Sequence, residues 1–142
     1  STNIAPTMLI LEITENTLLG TTEAIIDQMT QIRKLGVTLE IDDFGTGYSS
    51  LSYLKRFPVD TLKIDRAFIK DLPGDKDDIS IVQGIIALAH NLGLSVVGEG
   101  VETEEQKRLL ESLKCDVIQG YLLSRPLPAN ELEAWVKERI CL

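Results

Sequence analysis

The sequence predicts an α/β fold in which about five strand–helix units form part of a (β/α) barrel. Apolar runs of strand length alternate with segments of helical periodicity, and such strands pair in parallel through right-handed crossovers. Polar residues recur at or near the carboxyl ends of successive strands, at Glu12, Asp42, Lys63, Glu99 and Gln119. Catalytic groups of a barrel lie at this end, although an open parallel sheet binds ligands there too. A Gly-rich turn after the first strand, more often seen in an open sheet, is missing, which favours the barrel.

The first half of the chain contains three predicted strands, at 8–13, 37–42 and 61–65. Apolar residues at helical spacing between Ile25 and Leu35 predict a helix that Thr21 or Thr22 caps and Gly36 ends. A short helix is predicted at 49–56, with Ser49 or Ser50 at its start.

The second half repeats the strand–helix alternation. A polar loop at 71–78 leads to a predicted helix at 79–92, for which Gly93 is the expected C-cap. Thr103 and Gln106 form a capping-box pattern for a helix that runs to residue 113. The remaining predicted elements are strands at 94–99 and 117–121 and a helix at 130–138. His90 is expected to pack or to face solvent, and Trp135 to lie in the core.

The stretch from 37 to 65 carries the strongest chemical signal. Asp42 and Asp43 end one strand, and in an extended backbone adjacent side chains point to opposite sides. The next strand offers Lys63 and Asp65 on one face. Carboxylates bind Mg²⁺ or Mn²⁺ and a nearby ammonium attracts a phosphoryl oxygen, so this pattern suits phosphate chemistry. Acidic turns whose carboxylates accept local N–H groups are also common, and that interpretation stays open for the Asp-Asp pair taken alone.

Composition limits the classes of function. The 142 residues are 44% hydrophobic and 25% charged, which fits one soluble domain with a substantial core. The formal net charge of −8 argues against a basic surface for DNA or RNA. Cys115 and Cys141 match no zinc or redox pattern, as expected of reduced cysteines in a cytoplasmic domain. No apolar run reaches the ~20 residues of a membrane span, so this segment is not expected to insert, and membrane anchoring of a longer parent stays open.

Five ordered motifs span essentially the whole chain: LEITE (11–15), IDDFGTGYSSL (41–51), LKID (62–65), VGEGVET (97–103) and QGYL (119–122). In order and spacing they closely resemble the motifs of the EAL-domain cyclic di-GMP phosphodiesterases. The resemblance implies a TIM-like (β/α) barrel that hydrolyses one phosphodiester bond of cyclic di-GMP to linear pGpG, with two Mg²⁺ or Mn²⁺ ions. The DFG triplet is also found in protein kinases, but the accompanying kinase motifs are absent.

The resemblance also implies roles for the residues of the site. Glu12, Asp42 and Asp43 would be metal ligands. Lys63 would orient the attacking water and stabilise phosphoryl charge, with Asp65 positioning Lys63 or the water. Glu99 would be a further ligand or a base.

Four more residues lie around this centre in the resemblance. Gln119 would complete the polar floor of the site, and Glu15 and Glu102 would be supporting acids that hold the loop after Asp43 and the outer shell. Arg125 stands where the family usually has lysine. It would contact phosphate or guanine, or else form a salt bridge at the rim.

The family's Glu-Ala-Leu strand, a substrate arginine and an asparagine ligand are expected upstream of Ser1, so residues 1–142 are interpreted as the C-terminal portion of one EAL-type domain. A complete barrel has eight strands, and five cannot close. We therefore expect the chain to be inactive alone and to pair with a second copy or with the missing N-terminal part. A cyclic di-GMP receptor without hydrolysis and a protein-interaction module are the alternative functions.

Overall fold

Five parallel strands form one sheet in sequence order, from β1 at one edge to β5 at the other. The computed structural model describes residues 3–18, 22–45 and 54–139. The strands are β1 (Ile10–Thr14), β2 (Thr38–Phe44), β3 (Thr61–Ile64), β4 (Ser95–Glu99) and β5 (Val117–Gln119). Consecutive strands are therefore neighbours in space, as in a sheet that curves into a barrel.

The helices connect these strands. They are α1 (Glu15–Leu18), α2 (Glu23–Lys34), α3 (Arg66–Ile69), α4 (Lys76–Asn91), α5 (Glu104–Ser112) and α6 (Ala129–Arg139), and a 3₁₀ turn at Pro6–Met8 precedes β1. The predicted helix at 49–56 lies mostly outside the described residues, as do Ser49, Ser50, Thr21 and Cys141.

Local end signals predicted the boundaries of several helices correctly. Gly36 and Gly93 follow α2 and α4 with φ values of +97° and +75°, a conformation that a β-carbon disfavours. Both hydrogen bonds of the capping box between Thr103 and Gln106 are present. Thr22 is the N-cap residue of α2, although its side chain makes no capping hydrogen bond.

Three helices differ from the predictions for reasons of length and capping. Helix α4 begins three residues earlier than predicted, because Asp75 accepts hydrogen bonds from the N–H groups of Asp77 and Asp78 at 2.8 and 3.2 Å. Helices α1 and α3 were not predicted, since four residues are too few to show a helical period. Helix α3 begins after Asp65, whose Oδ1 accepts the N–H of Ala67 at 2.7 Å.

One face of the sheet packs against the helices and forms the core. Alternate side chains of the central strands are almost fully buried there, and these include Leu39, Ile41, Leu62, Ile64 and Val96. Residues Val82, Ile86 and Ala89 of α4 and Leu110 of α5 belong to the same cluster. The intervening positions of the strands turn Glu40, Lys63 and other polar residues to the opposite face.

Both edges of the sheet expose apolar side chains. On β1, Ile10 is 57% exposed and Leu11 44%, and on β5 Val117 is 52% exposed. Helix α6 has no buried residue among those described, and Trp135 is half-buried. The expectation that Trp135 lies in the core is therefore wrong for the part of the chain that the structure describes. The amphipathic pattern of α6 did not indicate which surface it would pack against.

Replacing Asp75 with alanine should lower the free energy of unfolding by about 1 kcal/mol, because two N–H groups at the start of α4 lose their acceptor. Chemical denaturation monitored by circular dichroism measures the change. Asp71→Ala is the matched control, since among the described residues the side chain of Asp71 makes only an exposed contact with Lys70 at 3.6 Å, and its loss should change stability by less than about 0.5 kcal/mol. Equal effects of the two substitutions would contradict the proposed capping role.

Candidate metal centre and active site

A bulge in β2 places two acids side by side at the carboxyl end of the sheet. Ile41 pairs with Leu62 and Phe44 with Ile64, so Asp42 and Asp43 together lie opposite Lys63 alone. Asp43 has φ +56°, and its N–H donates to Oδ1 of Asp42 at 3.1 Å. Because the backbone of Asp43 is in the left-handed conformation, side chains no longer alternate between the two faces of the strand at this point. The expectation that the two carboxylates point to opposite sides is therefore wrong.

The bulge brings both acids to the carboxylate of the fourth strand. One carboxylate oxygen from each of Asp42, Asp43 and Glu99 lies within 4.8 Å of the other two. All three residues are partly buried. Carboxylate oxygens at this spacing are suitable ligands for a hard divalent cation such as Mg²⁺ or Mn²⁺. Glu12 is outside this group, although the sequence predicted it as a ligand beside Asp42 and Asp43.

Lys63 is the centre of the charge arrangement. Its Nζ lies 2.6 Å from Oε1 of Glu12, 2.6 Å from Oε1 of Glu99 and 3.2 Å from Oδ1 of Asp42. The side chain is only 4% exposed. Burial by itself would lower the pKa of Lys63, but the hydrogen bonds to Glu12, Glu99 and Asp42 outweigh it and raise the pKa above its ordinary value. The three acids therefore favour the charged form of Lys63.

Crowding raises the pKa of several acids around Lys63. Burial raises the pKa of Glu99, and the attraction of Lys63 opposes this shift only in part. For Asp43, burial, the charge of Asp42 and a hydrogen bond with Asp65 all raise the pKa. Glu40, 9% exposed, also has a raised pKa because of its burial, although Lys63 and a hydrogen bond with Thr61 oppose the shift.

Glu15 and Asp65 support the segment that carries Asp43. Glu15, at 1% exposure, accepts the N–H of Gly45 through Oε2 at 2.8 Å and so contacts the loop directly after Asp43. Asp65, beside its role as the cap of α3, lies close enough to Asp43 to help raise the pKa of that carboxyl group. The structure thus places Asp65 beside an acid of the cluster, and its expected role in positioning Lys63 or a water stays a prediction.

A second group of predicted residues lies beside Glu99. Gln119 lines a groove of about 200 Å³ together with Glu99, Glu102 and Tyr121. Oε1 of Glu102 accepts a hydrogen bond from Nη2 of Arg66 at 2.8 Å.

Arg125 lies further along this side of the sheet. Its guanidinium carbon is 4.9 Å from the centre of the Tyr121 ring, and it makes no ion pair with a described residue. A neighbouring groove of about 440 Å³ is lined by Gln119, Tyr121, Arg125 and Trp135, among others. Arg125 is therefore available for an anion or an aromatic base beside the site.

Three residues that the structure associates with the site were not predicted from the sequence. Glu40 follows from strand alternation with Asp42, a signal that was visible. Arg66 carried no signal of its own. Gln106 was recognised only as part of a capping box. His90, expected to pack or to face solvent, is exposed, and its Nε2 contacts Oδ2 of Asp116 at 2.9 Å at the opposite end of the strands.

The EAL domain model matches residues 1–126, which is most of the chain. The chain belongs to the EAL domain family. The cyclic di-GMP phosphodiesterase NbdA of Pseudomonas aeruginosa is 50% identical over 134 residues, covering 94% of this chain and 17% of that protein. The bifunctional diguanylate cyclase/cyclic di-GMP phosphodiesterase MucR of the same organism is 51% identical over 94% of this chain. The chain thus spans about a fifth of the length of these relatives, 17% and 20%.

Solved EAL structures share the fold. A MucR phosphodiesterase complex with cyclic di-GMP matches with a TM-score of 0.85 and 51% identity, covering 91% of this chain and 52% of that chain. The manganese and cyclic di-GMP complex of Klebsiella pneumoniae BlrP1 matches with a TM-score of 0.79 and 36% identity, over 87% of this chain and 31% of that chain. The prediction of a partial (β/α) barrel is thereby confirmed. Among the described residues, no helix combines the length and apolar character needed to cross a bilayer.

Replacing Lys63 with methionine should lower the free energy of unfolding on the order of 2–3 kcal/mol at neutral pH, because three carboxylates lose their shared cation. This loss of stability is smaller than that of a fully buried cluster, because Glu12 is half exposed and water screens its charge. Folding raises the pKa of Lys63, so its contribution is complete below the unfolded value of about 10.4 and is lost only as pH rises through the folded value.

The destabilisation should accordingly be the same at pH 7 and pH 9 in urea denaturation. Lys70→Met removes an exposed lysine whose contact with Asp71 is 3.6 Å and serves as the control. A Lys63→Met protein as stable as the Lys70→Met protein would show that the ammonium does not hold the cluster together.

Proposed function

We propose that this segment supplies part of the active site of a phosphodiesterase that hydrolyses one phosphodiester bond of cyclic di-GMP to linear pGpG. The observation that carries the proposal is the buried ammonium of Lys63, which contacts acids from three other strands. These residues lie at the carboxyl end of the sheet, where barrel enzymes have their active sites. Support comes from NbdA, named a cyclic di-GMP phosphodiesterase at 50% identity, and from MucR, solved in complex with cyclic di-GMP.

The proposed cofactor is Mg²⁺ or Mn²⁺, with two ions in the intact domain. The donor set fits, since Asp42, Asp43 and Glu99 offer hard oxygen atoms within 4.8 Å of one another. Glu12 is retained as a proposed ligand. Its Oε1 accepts a hydrogen bond from Nζ of Lys63 at 2.6 Å, beside these three acids. Divalent ions in such sites activate water and neutralise charge on a phosphoryl group.

Lys63 provides fixed positive charge to the reacting phosphate. Because its pKa is raised, it donates hydrogen bonds throughout the neutral range and takes up no proton. Such a cation helps to orient an attacking water and stabilises charge that develops on phosphoryl oxygens. Glu99, whose pKa is raised by burial, is placed either as a ligand or as the base that receives a proton from that water.

The nucleotide itself would contact the groove beside Glu99. Gln119 offers an amide and Tyr121 an aromatic face there, with the guanidinium of Arg125 above the Tyr121 ring. An amide reads base edges and an aromatic ring stacks on a base, which suits a guanine nucleotide. Glu15 and Glu102 contact Gly45 and Arg66 and are proposed to act through those contacts.

The exposed sheet edges support the proposal that residues 1–142 form the C-terminal portion of a larger EAL barrel. Ile10 and Leu11 of β1 and Val117 of β5 are each more than 40% exposed. Covering a few hundred Å² of such surface, at roughly 25 cal/mol per Å², contributes several kcal/mol. The proposed partner is the N-terminal part of the same domain, or a second copy of the chain. The free thiol of Cys115 fits a reducing compartment, so we place the protein in the cytoplasm.

Turnover of cyclic di-GMP in Mn²⁺ tests the function, measured on the chain alone and on the chain joined to the rest of an EAL barrel. We expect linear pGpG only from the complete barrel, and association of the isolated chain in light scattering at micromolar concentration. A complete barrel that binds cyclic di-GMP without cleaving it would be a receptor. One that neither binds nor cleaves would be an interaction module. If the isolated chain were a monomer and hydrolysed cyclic di-GMP, only the proposal that it needs a partner would be contradicted.

Lys63→Met in the complete barrel should lower kcat at least about 100-fold while changing KM little, because the charge it stabilises develops in the transition state. Steady-state kinetics over a range of cyclic di-GMP concentrations separate the two constants. Lys70→Met, on the exposed surface, is the control with an equal loss of charge. A rise in KM with unchanged kcat would assign Lys63 to substrate binding alone.

Asp43→Asn should weaken Mn²⁺ binding about tenfold or more, since an amide replaces one anionic oxygen of the cluster. Calorimetric titration of the protein with Mn²⁺ measures the dissociation constant. Asp71→Asn, an exposed acid beside Lys70, provides the same charge change and should leave the constant within about twofold. Equal weakening by both substitutions would mean that overall charge, and not ligation, governs binding.

A further inference from the structure

Gln106 is a buried amide with four hydrogen bonds. The residue lies in the first turn of α5 and is 3% exposed. Its Oε1 accepts the N–H groups of Glu102 and Thr103 at 2.7 and 3.0 Å. Its Nε2 donates to the carbonyl groups of Ile69 and Lys70 at 3.1 and 3.2 Å. All the hydrogen-bonding capacity that a buried amide must satisfy is therefore engaged.

The four partners belong to two segments. One follows the cation Lys63 and the other follows the acid Glu99. Ile69 and Lys70 end α3, the helix that follows the β3 strand of Lys63. Glu102 and Thr103 lie in the loop that follows Glu99 at the end of β4. Gln106 thus joins the segment after Lys63 to the segment after Glu99, and Lys63 Nζ and Glu99 Oε1 are 2.6 Å apart.

A second contact, an ion pair, joins the same two segments at the surface. Arg66, the first residue of α3, forms an ion pair with Glu102 at 2.8 Å. The stem of Arg66 lies directly over Gly100, which has φ +69° and where a β-carbon would come within 2.3 Å of Cγ of Arg66. Arg66 and Glu102 are largely exposed, so their ion pair contributes little by itself. The buried amide of Gln106 is the stronger of the two links.

Helix capping alone does not explain the amide of Gln106. In a capping box, the third residue of the helix only accepts a hydrogen bond, so glutamate serves as well as glutamine. The Nε2 group takes no part in the cap, and its two hydrogen bonds go to a different helix. A carboxylate at this position would face two carbonyl oxygens without a donor.

We propose that Gln106 is a positioning residue that fixes Glu99 relative to Lys63 by holding the loop 100–103 against the end of α3. The inference rests on the proposed function, because it takes Glu99 as a member of the reacting metal centre. Gln106 itself touches none of Lys63, Glu99 or the other acids in the hydrogen bonds that the structure describes. Its effect passes through the backbone on both sides.

Gln106→Glu tests the proposal, because it keeps the acceptor of the cap and removes the two donors to α3. Mn²⁺ binding, measured by calorimetry and by the electron paramagnetic resonance signal of free Mn²⁺, should weaken at least about fivefold. An added negative charge would by itself strengthen the binding of a cation, so the expected change runs against the charge effect. Gln83→Glu, on the exposed side of α4, makes the same charge change and should bind Mn²⁺ as the unaltered chain does.

Gln106→Met removes all four hydrogen bonds without a change in charge, and it should weaken Mn²⁺ binding at least as much as Gln106→Glu. Cooperative thermal unfolding of each variant is confirmed before titration. Binding by Gln106→Glu as tight as that of Gln83→Glu would overturn the proposal. Loss of the cooperative transition would also overturn it, because Gln106 would then support the fold as a whole. Failure of the unaltered chain to bind Mn²⁺ would contradict the proposed metal centre. If the unaltered chain and both Gln106 variants bind Mn²⁺ equally tightly, only the role of Gln106 is contradicted.

Discussion

The buried ammonium of Lys63 is the interaction on which the arrangement of this site depends. A lysine that is 4% exposed is costly to charge unless anionic partners replace the water that it loses. Glu12, Asp42 and Glu99 provide that replacement from β1, β2 and β4. In return, the cation permits acids from separate strands to lie closer together than their mutual repulsion would otherwise allow. The chain thus concentrates charge at one end of a sheet whose other face is apolar core.

Backbone geometry turns this cluster into a possible ligand set. A regular strand would send Asp42 and Asp43 to opposite faces, and only one would reach Glu99. The bulge and the left-handed conformation of Asp43 remove that limit. Strain of this kind persists where surrounding contacts determine it, and the hydrogen bond from Gly45 to the buried Glu15 is one such contact.

Features that depend on residues close in the sequence could be predicted. Features that depend on contacts between separate strands or segments could not. The order of strands and helices, the glycine ends at Gly36 and Gly93 and the Thr103 capping box all follow from local rules. The convergence of polar residues also followed, because parallel strands end at a common edge. The bulge depends on the register of β2 against β3, which no single strand encodes. The contacts of Gln106 with the end of α3 depend in the same way on two segments 36 or 37 residues apart.

Paramagnetic broadening of backbone amide signals by Mn²⁺ most directly tests the claim that the Lys63-centred cluster is a divalent-cation site. Sub-stoichiometric Mn²⁺ should first broaden the amides of residues 42–45 and 99–101, which lie at the carboxyl ends of β2 and β4. The amides of Asp60 and Asp116, just before β3 and β5 at the opposite end of the sheet, should stay sharp at the same concentration. Broadening that begins at the exposed acids Glu104 and Glu105 of α5, or that affects both ends of the sheet equally, would contradict the account.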